Sequence, residues 1–178
     1  MAVLLFSNNP RARDARLGIK EVRNMIWIKR EKAANGLTEV TLLYNTKQIA
    51  MHCFLNKNGR MRGKVEIYRT DGDFEWSFEL NDNEEINGTL IEPDYDGTDS
   101  HTCTSEWKDG VLIDPGDDGY EVGSTVDDLE RIIDGDPYSF IDSYVLPMDE
   151  WLEEHEDQTE EVDDQDLEGF EEYDGNLL

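Results

Sequence analysis

Two His/Cys pairs are the first residues that could do chemistry. His52-Cys53 and His101-x-Cys103 offer nitrogen and thiolate ligands of the kind zinc takes. On strands, adjacent residues point to opposite faces and alternate residues to the same face. His52 and Cys53 therefore diverge while His101 and Cys103 converge, so at most three ligands meet and a tetrahedral site is not expected. Asp94-x-Asp96-Gly97-x-Asp99 and Asp114-x-x-Asp117-Asp118-Gly119 suggest calcium loops. An EF-hand needs acids or amides at loop positions 1, 3 and 5 and a Glu at 12. Counting from Asp114, position 3 is Gly116 and position 12 is Thr125, and counting from Asp94, position 5 is Thr98. Both loops fail, and no metal or other cofactor is expected. Carboxylate pairs at glycosidase spacing carry no information among 43 acids, since such a set contains every spacing. No phosphate-binding loop, nucleophile elbow, H-E-x-x-H or G-x-G-x-x-G occurs. The chain is not expected to be an enzyme.

The acids themselves are the stronger signal. Residues 1–70 hold 14 Lys and Arg and five acids, whereas residues 71–178 hold two bases, Lys108 and Arg131, and 38 acids. The net charge is −27. Solubility needs far fewer acids, and their mutual repulsion opposes compaction, so a compensating cationic partner is expected. Acids at i, i+3, i+4 and i+7 of a helix form a row about 5–6 Å apart. Glu150, Glu153, Glu154 and Asp157 fit that row, with Asp127, Asp128, Asp134 and Asp136 in support. Phosphates along DNA recur on a comparable scale, about 3.4 Å of axial rise per strand. These eight side chains are the candidate contacts for a basic protein partner, each standing in for a phosphate. In composition the chain is similar to the nucleic-acid mimics with which phages inhibit host defence proteins. An immunity protein or antitoxin against a basic toxin would rest on the same physics.

The basic half carries an alternative. Trp27, Lys29 and Arg30, then Arg60, Arg62, Lys64, Tyr68 and Arg69, interleave cations with aromatic rings, which suits single-stranded nucleic acid. In this layout the chain resembles the single-strand-binding proteins of phages and bacteria, and the resemblance implies an acidic tail that competes for the basic groove. The bland reading is neutralisation by acids of the same chain or of a second copy, as in a homodimer.

The elements that must position these residues follow from periodicity and turn chemistry. Apolar residues make up 37 % of the chain, with four Trp, seven Tyr and six Phe to build a core. From Met25 the pattern is strand and turn: 25–32, 37–44, 48–55, 62–70, 73–80 and 85–92, then a hairpin from 101–107 and 111–114. Asp71-Gly72 predicts a type I′ turn. Phe74, Trp76, Phe78 and Leu80 alternate with Glu75, Ser77 and Glu79, as a half-buried strand does. Earlier, residues 2–7 suggest a strand and 11–24 a basic helix.

After Gly123 the period becomes helical. Ser124 and Thr125 with Asp127 and Asp128 suggest a capping box for a helix ended by Gly135. Asp136 and Pro137 suggest the start of a second, with Tyr138, Ile141, Tyr144 and Val145 inward. Pro147 suggests the start of a third, over 148–157, with Met148, Trp151, Leu152 and His155 on one face. Residues 159–178 are sparse in apolar groups and are expected to be loose. The expected fold is α+β: an antiparallel meander of six to eight strands, two or three short acidic helices and a loose acidic tail. The domain would span 1–158, basic to residue 70 and acidic beyond. No signal peptide or membrane span is apparent, and two cysteines are too few for a disulfide framework. Together these predict a cytoplasmic protein, in host cytoplasm if viral, that does not bind membranes.

Overall fold

A computed structural model describes residues 26–94, 102–116, 119–129, 133–154 and 167–178. The expected strand at 2–7, the basic helix at 11–24 and residues 159–166 lie outside the described residues. The strands are β1 (Trp27–Lys32), β2 (Thr38–Leu43), β3 (Ile49–Leu55), β4 (Met61–Tyr68), β5 (Phe74–Leu80), β6 (Gly88–Pro93), β7 (Thr102–Lys108), β8 (Val111–Asp114) and β9 (Glu171–Glu172). They form one antiparallel sheet in the order β8-β7-β6-β5-β4-β3-β2-β1-β9. The first eight are a meander, and the ninth returns from the end of the chain to the β1 edge.

Alternation sets the two faces of the sheet. Val40, Cys53, Val65 and Phe78 lie opposite one another across β2 to β5, and Leu42, Met51, Ile67 and Trp76 form the next row. All eight are buried. A helical run covers this face: α1 (Pro137–Phe140), a π-helical turn (Ile141–Val145) and α2 (Leu146–Glu154). Asp136 caps α1, its side chain accepting from Tyr138 N–H with Pro137 in the first turn, as its sequence predicts. The opposite sheet face carries Lys29, His52, Glu66 and Ser77.

Proline does not start a new helix at 147. Pro147 cannot donate to the carbonyl four residues back, and its ring would clash there. The turn just before it is widened instead, with Leu146 N–H donating to Ile141 C=O, five residues back. The extra residue rotates the register of the inward face. Phe140, Ile141, Val145 and Leu152 are buried, while Tyr138 and Trp151, expected among the apolar faces, are exposed. The capping box also departs from expectation. Asp128 accepts from Thr125 N–H and Oγ1–H at 2.9 and 2.6 Å, yet residues 126–129 form a turn, and 130–132 lie outside the described residues.

The turns share one device. In five successive hairpins the first loop residue accepts from the fourth: Gly36 to Ala33, Lys47 to Tyr44, Gly59 to Asn56, Gly72 to Arg69 and Glu84 to Asn81. Each fourth residue has positive φ, the conformation of a type I turn closed by a left-handed residue. The Asp71-Gly72 hairpin therefore forms, but its turn is not type I′, because only Gly72 (φ 88°) is left-handed. The type I′ signature is at Asp109-Gly110 (φ 47° and 74°), between β7 and β8. Gly72 has open space where a Cβ would stand. Gly72→Ala should thus cost about 1 kcal/mol from the backbone alone. A urea midpoint that does not move would show that the loop relaxes freely.

The tail also departs from expectation over its last twelve residues. Tyr173 N–H donates to Ile26 C=O at 2.8 Å, and Leu177 is buried beside α1, its N–H donating to Tyr138 Oη at 3.3 Å. Leu178 Cδ1 lies where a Cβ on Gly59 would meet it. Leu177, the partly buried Tyr173, the two strand residues and the ion pairs of Glu171 and Asp174 with Arg30 dock a segment whose overall composition reads as disordered. β9 also covers part of the β1 edge, which would otherwise present unpaired backbone groups.

Candidate functional site

The cations proposed for nucleic acid come from adjacent strands, and register brings acids to them. Arg30 on β1 meets Glu171 and Asp174 of the C-terminal segment and also donates to Asn176 C=O. Lys29 pairs with Glu31 at 3.1 Å and lies 5.9 Å from the centre of the Phe170 ring. Arg60 and Arg62 both reach Glu84, at 2.6 Å to Oε2 and Oε1 respectively. Lys64 pairs with Glu66, and Arg69 approaches Asp71 and Asp73, each at 3.5 Å. All six candidate cations thus have a carboxylate of their own chain. Trp27 and Tyr68 are half-buried on β1 and β4, and Tyr68 packs on Phe74 with ring centres 5.1 Å apart.

The acidic candidates are less evenly placed. Asp127 and Asp128 are exposed in the 126–129 turn. Hydrogen bonds from Thr125 hold the Asp128 carboxyl below its usual range. Asp134 is exposed and accepts from Asp136 N–H at 2.8 Å. Asp136 is committed to capping α1. Glu150 is exposed on α2. Glu153 and Glu154 belong to α2, but their side chains, and Asp157 altogether, lie outside the described residues.

Two carboxylates stand in unexpected places. Asp149 is 0 % exposed and accepts from Asn45 N–H at 2.7 Å, tying α2 to the β2–β3 turn. Burial holds its carboxyl above the usual range against the pull of that bond, and its second oxygen has no partner among the described residues. Its spacing from Val145 and Leu152 puts it in the buried helical stripe, a signal hidden by its being an acid. Glu75 is half-buried at the end of the β4–β5 hairpin. Burial raises its carboxyl, with Arg69 pulling down and Asp71 pushing up.

On the sheet face away from the helices, His52 bridges two acids, with Nε2 2.9 Å from Glu39 and Nδ1 3.3 Å from Glu66. Burial pushes the Glu66 carboxyl up, but Lys64 and His52 outweigh it and hold it low. Cys53 lies on the opposite, core face, where burial pushes its thiol up to about 12. An inert core thiol is the result. His101 lies outside the described residues, and among the described residues no three His, Cys, Asp or Glu side chains gather as a metal site. Nor is any described helix long and apolar enough to cross a membrane. No family model, curated protein or solved structure matches the chain.

Proposed function

We propose that this chain is a non-catalytic acidic binding protein that occupies the basic surface of a nucleic-acid-binding protein in place of nucleic acid. One observation carries the reading: the six cations that would serve nucleic acid are already opposite carboxylates of their own chain. Their charge is met internally, and the chain as a whole still carries −27. A surface of that sign attracts Lys and Arg clusters and repels phosphate. In this reading Glu150, Glu153, Glu154 and Asp157 are a phosphate-like row, and Asp127, Asp128, Asp134 and Asp136 are further contacts in the segment before α1. Inhibition of a host defence protein by a phage protein is the setting such a surface fits, and a toxin–immunity pair would use the same contacts.

The test is binding to a purified basic partner recovered from host lysate, competed with duplex DNA. Reversing Glu150, Glu153 and Glu154 to Lys should weaken binding by on the order of 100-fold, as loss of complementary interface charge does. Wild-type affinity should fall steeply with salt, and duplex DNA should displace the partner. Full affinity in the triple variant, or indifference to salt and duplex, would sink the reading. One feature favours the single-strand-binding alternative: Glu171 and Asp174 sit on Arg30, as a competing tail would. A fluorescent single-stranded oligonucleotide titrated at low salt separates the two. Saturable binding to the full chain would replace the mimic with the alternative.

A further inference from the structure

A cleft of about 610 Å³ opens between the end of the β4–β5 hairpin and α2. Its walls are aromatic and apolar, with Tyr68 on one side and Tyr144, Met148 and Trp151 on the other. Glu75 lines it as well. Trp151 is 44 % exposed at the mouth, a large ring left partly in water beside an apolar wall. The volume lies within the range of small-ligand sites.

The charges around the cleft decide what it would take. Glu75 is half-buried and, among the described residues, forms no hydrogen bond or ion pair. Arg69 also lines the cleft, but its guanidinium is turned to Asp71 and Asp73 at 3.5 Å each. Glu75 is therefore the carboxylate of the lining, and the cation of the lining is engaged by two carboxylates outside it. An apolar ligand would bury Glu75 further without supplying a hydrogen bond or a charge to it, which is costly. An anion would meet the Glu75 carboxylate, while the Arg69 guanidinium is engaged by Asp71 and Asp73. A cation would gain both a carboxylate and ring faces, and ring faces attract cations within about 6 Å of their centres. A planar guanidinium also stacks on such rings, which a compact ammonium does not.

We propose that this cleft receives an arginine side chain of a partner polypeptide, stacked among Trp151, Tyr68 and Tyr144 and paired to Glu75. The inference rests on the basic-partner reading and adds a specific anchor to it. Diffuse acidic surfaces select for charge, whereas a cleft with one carboxylate at the end of an aromatic wall selects for the shape of the side chain. The acids of α2 would attract the partner, and the cleft would set its register.

The probe is N-acetyl-arginine amide, titrated into the full chain at low salt. Binding is read by tryptophan fluorescence and by the indole N–H signal of Trp151, assigned with Trp151→Phe. Saturable binding is expected, with N-acetyl-citrulline amide, nearly the same shape without the charge, at least about tenfold weaker. Glu75→Gln, which keeps the shape of the side chain, should weaken the arginine probe by about tenfold. Trp151→Ala should abolish its binding, with the urea midpoint measured beside it to confirm that the variant is folded at the temperature of the titration. Equal binding of arginine and citrulline probes, or a Glu75→Gln variant that binds as wild type, overturns the proposal. A chain that ignores the probe yet keeps salt-dependent capture of a basic protein loses the cleft and retains the acidic surface. A chain that binds the probe in the cleft but holds no basic protein loses the proposed function instead.

Discussion

Replacing Phe140 by Ala should cost about 3–5 kcal/mol, the range for removing a buried aromatic ring, and release the helical run from the sheet. Phe140 is 1 % exposed. Its ring centre lies 5.6 Å from Trp76 and 5.5 Å from Phe78 on β5, and 6.0 Å from Tyr144 one turn on. No other residue of α1 touches so many rings, and α1 itself is four residues long, too short to persist without packing. The meander is different in kind. Its strands pair with neighbours in sequence, and the rows of Val40, Cys53, Val65 and Met51, Ile67 continue without the ring. The loss should therefore be polarised. Near-ultraviolet dichroism from Trp76 should collapse, while amide hydrogen exchange in β2 to β4 stays slow. A loss below about 1 kcal/mol, or uniform loss of protection, would show that the helical run is held elsewhere.

That contrast between local and distant pairing also explains what the sequence makes legible. The eight meander strands fall within a few residues of their expected bounds, because period-2 alternation and Asn-Gly or Asp-Gly turns are local signals. The turn type also departs for a local reason: Asp71-Gly72 has the composition of a type I′ turn, and only the backbone of Asp71 differs from it. β9 is not legible, since Glu171 and Glu172 carry no pattern, and the groups that hold the segment, Arg30, Ile26 and Tyr138, are distant in the chain. Asp149 was hidden because its partner, the Asn45 N–H, lies 104 residues away in the chain. The candidate site divides in the same way. Composition shows an acidic surplus. It does not show that Arg60 and Arg62 share one carboxylate, or that Glu75 ends an aromatic cleft assembled from separate segments.

Glu84 is where register, strain and charge meet, and its removal should cost about 2 kcal/mol. It stands in the left-handed position of its turn (φ 68°), where three of the other four hairpins use glycine. A non-glycine residue there costs roughly 1–2 kcal/mol, so the side chain must return more than that. Its two oxygens take Arg60 and Arg62, and Arg60 continues to Asp134 C=O. The loop before α1 is thereby fastened to β4, where Met61 N–H also donates to Gly135 C=O at 2.9 Å. Arg62 is largely buried, so an alanine at 84 strands a cation that water reaches poorly. Arg60 is exposed enough that its share is screened. Glu84→Ala keeps the strained backbone and loses the carboxylate. Glu84→Gly loses the carboxylate but relieves the backbone, and should be more stable than the alanine variant by about 1 kcal/mol. The pH dependence has a fixed sign. Hydrogen bonds from Arg60 and Arg62 lower the Glu84 carboxyl from about 4.5 to about 2. A lowered carboxyl stabilises the fold fully above its unfolded value and loses that contribution as pH falls through the folded value. The gap in urea stability between wild type and Glu84→Ala should therefore be full at pH 7, shrink below about 4.5 and close near 2. A gap that holds constant down to pH 3 would mean that the carboxylate acts through shape alone, and the two arginines would then be held by the turn rather than by its charge.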